Sequence, residues 1–168
     1  NLRFEQVNGA LAFDSRSGLQ ANALQARLWQ QPATIQLQGE RRGGRWWQQK
    51  VQVQTPVDMS ALARWSGVDV LRYARGQAPV SVAVNLPVAA PGLSSLQISS
   101  SLVGTQILLP APLGKNAATA QALRYQTTLG NSPEHKASAT LGNDLRIGLV
   151  SRAGRIHRAL LRYGVPGL

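Results

Sequence analysis

Cysteine is absent from the 168 residues, which removes thiolate nucleophiles, Cys-ligated zinc and iron–sulfur chemistry and leaves the redox compartment open. A chain of this length buries about 68–70% of its unfolded surface, so no disulfide or metal staple is needed for a core. Acidic residues are scarce, 7 against 18 Lys and Arg, for a formal charge of +11. Only 15% of residues are charged, unlike the Glu/Lys-rich surface of a helical cytosolic enzyme. Long apolar runs are missing too; Ile107-Leu108-Leu109-Pro110 is typical, and no transmembrane helix is readable. There is no basic n-region with an apolar h-region behind it, because Asn1 opens directly onto a strand-like alternation. The expectation is a piece of a longer protein.

Alternation of period two is what the chain has in quantity, in short runs bounded by turn residues, and this predicts an all-β, mostly antiparallel protein. Asn8-Gly9 between Leu2–Val7 and Ala10–Asp14 predicts a type I′ hairpin turn. Leu19 to Trp29 reads as a long strand with a bulge, because apolar residues occur on both parities, and Pro32 is expected to end it. Ile35 and Leu37 alternate with Gln36 and Gln38 up to the basic tip Arg41-Arg42-Gly43-Gly44, and Trp46 to Thr55 returns with Val51 and Val53 on one parity. Further strands carry Val80/Val82/Val84/Leu86, Leu96/Ile98, Leu123/Tyr125/Thr127/Leu129, Ala137/Ala139/Leu141 and Leu145/Ile147/Leu149, the last three forming a meander. Pro110-Ala111-Pro112 is a rigid extended segment. Residues 154–164 fit two patterns, an amphipathic helix with Arg155, Arg158 and Arg162 on one side, or a strand; bounding glycines and the missing N-cap favour the strand.

One stretch, near 58–75, reads as helical. Asp58 can cap Met59–Trp65, Gly67 can end it, and Asp69 can cap a second short turn closed by Gly76. Neither is long enough to be stable alone in water. The organisation expected is a single fragment, 1–168, with hairpin strands over 1–56, short helices over 57–76 and further antiparallel strands over 79–164.

Residue types that carry catalysis do not assemble into a pattern. Glu5, Asp14, Glu40, Asp58, Asp69, Glu134 and Asp144 lie mostly at turns and helix starts, where capping explains them. His135 and His157 are the only histidines, and neither has ligand spacing around it. Arg41-Arg42-Gly43-Gly44-Arg45 lacks the spacing and the Lys-Ser/Thr of a phosphate loop. The serines at 94, 95, 99, 100 and 101 lack the Gly-x-Ser-x-Gly elbow and suit a polar strand face. No enzyme, cofactor or metal site is expected.

Charge and the apolar parity remain. Fifteen of the 18 basic residues are Arg, enough to attract polyanions such as lipopolysaccharide or nucleic acid; the aromatics are not spaced as a base-stacking pair, so nucleic acid is not expected. The strands share one apolar face that two short helices are too small to cover. It closes as a sandwich, packs on neighbouring segments, or forms an open gutter for acyl chains.

Several fragments resemble the YhdP proteins, AsmA-like proteins of the Gram-negative envelope: Val7–Asp14 with Gly18-Leu19, the helix Leu62–Trp65, Arg75-Gly76-Gln77-Ala78-Pro79, Leu86-Pro87, Ser100-Ser101-Leu102-Val103-Gly104, and above all Leu109-Pro110-Ala111-Pro112-Leu113-Gly114-Lys115. The resemblance implies a curled antiparallel sheet, a β-taco with an apolar groove, in an inner-membrane-anchored periplasmic protein that conducts phospholipid toward the outer membrane. It implies acyl chains, the rest of the same polypeptide and the inner membrane, through a segment not in this sequence, as partners. The groove would then be lined by Ile35, Leu37, Val51, Val53, Val82, Val84, Leu86, Leu96, Ile98, Ile107 and Leu109, with Arg72 and Arg75 meeting head-group phosphates. The alternative is a non-catalytic basic β module that binds polyanions.

Overall fold

The computed structural model describes residues 2–42, 45–88, 94–111, 113–130, 134–152 and 155–164. Its strands are β1 (Phe4–Asn8), β2 (Ala12–Asp14), β3 (Gly18–Leu28), β4 (Gln31–Arg42), β5 (Arg45–Asp58), β6 (Ala74–Pro87), β7 (Ser94–Ser100), β8 (Thr105–Ile107), β9 (Leu123–Leu129), β10 (Glu134–Leu141), β11 (Leu145–Arg152) and β12 (Arg155–Tyr163). All belong to one antiparallel sheet, ordered β1-β3-β4-β5-β6-β7-β9-β10-β11-β12, with β2 added on β3 and β8 on β6. β1 and β12 do not pair with each other, so the sheet is open. The only α-helix among the described residues is α1 (Met59–Ser66), followed by a 3-10 turn at Asp69–Tyr73. This is the all-β, mostly antiparallel architecture with a short helical insertion that the sequence predicts; of the three ways left open for its apolar face, the strand order shows an open sheet, and residues 155–163 are a strand.

α1 forms where its caps predict. The Asp58 carboxylate accepts from the Ala61 amide at 2.8 Å, and Gly67 closes the helix in the left-handed region at φ 65°. Asp69, however, is the first residue of the 3-10 turn and not its cap; Val68 holds that position without a side-chain bond.

The Asn8-Gly9 expectation fails. β1 and β2 pair with β3 and not with each other, and the register of β1 on β3 shifts between Glu5 and Asn8. Gly9 serves close approach: a Cβ there would lie 3.2 Å from Leu24 Cα and 2.9 Å from a Leu24 methyl. The tight turn with two left-handed residues occurs at Trp29 (φ 49°) and Gln30 (φ 65°), between the paired Leu28 and Gln31. Neither residue type marks such a turn in a sequence. Pro32 consequently lies inside β4, opposite Arg27, where its carbonyl accepts from the Thr55 hydroxyl at 3.0 Å.

The bulge expected in β3 is present between Ala21 and Leu24. It resets the parity so that Gly18, Ala21, Leu24, Ala26 and Leu28 are all buried. Beyond it the strand crosses over its neighbour: the Gln49 amide of β5 donates to Leu19 O at 2.8 Å and accepts from Leu19 N at 3.1 Å. A Cβ on Gly39 of β4 would sit 1.6 Å from Ser17 O. At this edge the sheet therefore folds over on the face that carries Gly39 and Gln49.

The core is small and lies at one end. Val57, Met59, Ala78 and Leu102 are buried together, with Trp29, Leu62, Val80, Leu123 and Leu141 packed around them. A second buried group, Ala26, Leu28 and Ala33, joins it through Trp29. Trp29 and Trp65 meet with ring centroids 5.8 Å apart, tilted by 54°. That separation and tilt suit an attractive aromatic pair.

Candidate functional site

Residues directly opposite each other in an antiparallel ladder point to the same face, so the register defines the apolar face without ambiguity. One row runs Leu24, Ile35, Val53, Val82, Ile98, Tyr125, Ala139, Ile147, Leu161 across nine strands, β3 to β12, with no charged or amide side chain in it. A second runs Ala21, Leu37, Val51, Val84, Leu96, Thr127, Ala137, Leu149, Ala159. A third, nearest the core, holds Thr55, Val80, Ser100, Leu123, Leu141, Leu145 and Tyr163.

Eight residues named from the sequence, Ile35, Leu37, Val51, Val53, Val82, Val84, Leu96 and Ile98, lie side by side in the first two rows. Leu86 is on the same face one row further out, opposite Gln49, and is exposed. Ile107 and Leu109 are elsewhere. Ile107, on β8 opposite Ala74, packs on the core, and Leu109 lies in the following loop. Tyr125, Ala139, Ile147, Leu149 and Leu161 complete the rows, and their own alternation in the sequence was the signal that places them there. Away from the core most of the face is only half-buried, and Leu161 at its edge is 64% exposed.

The two ends of the face are closed differently. At one end Gln49 and Leu19 tie β3 across β4. At the other, α1 and the excursion between β7 and β9 form a junction, and the fragments Arg75–Pro79, Ser100–Gly104 and Leu109–Lys115 meet in it. Gly76 (φ 94°) and Gly104 (φ 90°) face one another; a Cβ on Gly76 would lie 2.2 Å from Gly104 O, and one on Gly104 2.2 Å from Gln77 O. The Lys115 ammonium donates to the carbonyls of Leu102 (2.8 Å), Asn116 (2.9 Å) and Thr105. Desolvation there holds its pKa below the ordinary lysine value. Lys115, the last residue of the most distinctive heptapeptide of the sequence, thus acts as an architectural lock at the end of the apolar face.

Arg72 and Arg75 lie at that locked end, both exposed. The Arg72 guanidinium donates to Tyr73 Oη at 3.0 Å and lies 5.0 Å from the Tyr73 ring centroid; this hydrogen bond, first of all, raises its pKa further. Arg75 stands on β6 opposite Gln106. The structure brings neither into the apolar rows.

Carboxylates have local roles. Asp14 accepts from the Arg16 and Ser17 amides, Asp58 caps α1, Glu40 accepts from Gln48, and Glu134 pairs with Arg152 at 3.1 Å. His135 sits in the β10–β11 ladder opposite Ser151, and His157 falls where the register of β12 on β11 shifts. Among the described residues no group of three His, Asp or Glu side chains could hold a metal ion. The basic tip at 43–44, Pro112 and the Pro91-Gly92 connection lie outside the described residues.

The family model for the YhdP protein matches residues 1–165, nearly the whole chain. The chain belongs to the YhdP family. No curated protein and no solved structure matches it. The glycine pair and the Lys115 contacts show how the fragments that carry the resemblance meet in the fold.

Proposed function

We propose that this YhdP-family chain is one section of a periplasmic, bridge-like lipid-transport protein that conducts phospholipid between the inner and outer membranes, its apolar sheet face serving as the groove. The observation that carries the reading is the unbroken row from Leu24 to Leu161, which offers acyl chains a continuous apolar path across nine strands. Each methylene taken from water onto such a surface is worth about 0.8 kcal/mol, and a path without charged or amide side chains lets a chain slide. The role is passive, with no bond made or broken, no cofactor and no catalytic residue. The rest of the polypeptide extends the path and supplies the inner-membrane anchor, and Arg72 and Arg75 meet head-group phosphates at the locked end.

The test is native mass spectrometry with lipid extraction on the chain purified from a Gram-negative host, beside an unrelated basic β protein. Phospholipid that survives detergent-free washing and is displaced by a fluorescent fatty acid, not by salt, is the expected result. A lipid-free chain that takes up no probe overturns it. Neighbouring substitutions sharpen the assay: Leu37→Asp, on the apolar face, abolishes capture, whereas Gln38→Asp, on the opposite face of the same strand, leaves it intact, with circular dichroism reporting that both remain folded.

A further inference from the structure

The face turned away from the apolar rows has its own shape and chemistry. Its central row reads Thr34, Gln54, Ser81, Ser99, Arg124, Thr140, Arg146, Arg162, each opposite the next. The adjacent row carries Gln36, Gln52, Ala83, Gln97, Gln126 and Ser138. Small side chains at Ser81, Ala83 and Ser99 leave a dish, and the longer Gln52, Gln97 and Gln126 with Arg124 rim it, enclosing about 580 Å³. A second concavity of about 700 Å³ adjoins it and shares Gln54, Ser81, Ser99 and Arg124. Among the described residues Arg124 is the one guanidinium that lines both.

We infer that this face binds an acidic polysaccharide, its carboxylates held by Arg124 and its hydroxyls by the surrounding glutamine amides and serines. Amide and hydroxyl groups donate and accept at once, as a polyhydroxylated ligand does. They offer nothing to an acyl chain. Guanidinium matches carboxylate through paired donors, and among the described residues no carboxylate pairs with Arg124, Arg146 or Arg162. Arg146 and Arg162 are directly opposite each other, an arrangement that costs stability by itself and is relieved when an extended anion runs along the row from Arg124. An extended chain suits the two joined concavities, which together exceed what one monosaccharide fills.

The test uses the whole chain in affinity gel electrophoresis and calorimetry at physiological salt, with polygalacturonate as probe, dextran as the neutral polymer and polyphosphate as charge without hydroxyls. Polygalacturonate is expected to bind at least about tenfold more tightly than dextran, which lacks the charge-assisted bonds, and more tightly than polyphosphate, which lacks hydroxyls to bond the glutamines and serines. Arg124→Gln weakens polygalacturonate about tenfold, and Gln97→Ala or Gln126→Ala about fivefold each, the loss of one neutral hydrogen bond. Ala83→Phe, which fills the dish, abolishes binding, and Arg16→Gln, in the exposed turn between β2 and β3 and lining neither concavity, changes nothing. Equal binding of polyphosphate with indifference to the glutamine variants, or no binding of polygalacturonate, overturns the inference. Because the side chains that would hold the polysaccharide, Arg124 and the glutamines, belong to none of the apolar rows, lipid capture can fail while this holds, and the reverse.

Discussion

At the scale of single residues, the turn at Trp29-Gln30 holds two non-glycine side chains in left-handed conformation, which for an L-residue costs roughly 1–2 kcal/mol. Trp29 offsets this by packing on both buried groups and against Trp65. Gln30 is exposed and makes no such contact. Gln30→Gly is therefore expected to stabilise the chain by about 0.5–1 kcal/mol, read as a higher urea midpoint with an unchanged slope; a lower midpoint would mean that the side chain has a hidden partner. Lys115 argues the other way. Its ammonium satisfies three carbonyls, so Lys115→Met keeps the aliphatic stem but orphans them, and a loss of about 2 kcal/mol is expected. Thr105, 1% exposed with its hydroxyl unbonded, marks how tightly this junction is drawn.

At the scale of elements, α1 owes its existence to its caps and to what it covers. Asp58→Ala removes the bond to the Ala61 amide and should cost about 1 kcal/mol, with an increase in bound hydrophobic dye because the helix shields Val57, Ala78 and Leu102; unchanged dye binding would show that the junction holds without it. The caps of this helix were legible because they act within a few residues. So were the alternating strands and the β9–β12 meander, since period two survives on any half-buried face. The hairpin at Asn8-Gly9 was not, because which strand accepts β1 and β2 depends on the bulged β3 and not on that dipeptide. The apolar face was legible in part: eight of the named groove residues share two rows, but Ile107 has the right parity in the wrong place, since β8 leaves the main path to pair with β6. The Gly76–Gly104 contact and the dish around Arg124 were hidden because they join residues whose relation appears only with register.

At the scale of the whole molecule, an open sheet has no second layer over most of its width, so its stability must be graded across it. The ladders are longest in the middle: β5 and β6 align eleven residue pairs from Gln48↔Pro87 to Asp58↔Gln77, and β4 and β5 align nine, whereas β1 and β3 align three. Among the described residues β12 is bonded on one side only, and it exposes Leu160, Leu161 and Tyr163. An unpaired edge can open without breaking a second ladder, while opening β5 breaks two and disturbs the junction beneath it. Amide hydrogen exchange should therefore be slowest in β5 and β6 and fastest in the edge strands β1 and β12. The gradient also separates two ways in which the exposed edge is used. If a second copy or another strand of a longer polypeptide pairs on β12, adding it slows exchange from Arg155 to Tyr163 and leaves β5 unchanged; if instead acyl chains fill the apolar face, protection rises along all the rows at once, because the ligand touches every strand and no single edge.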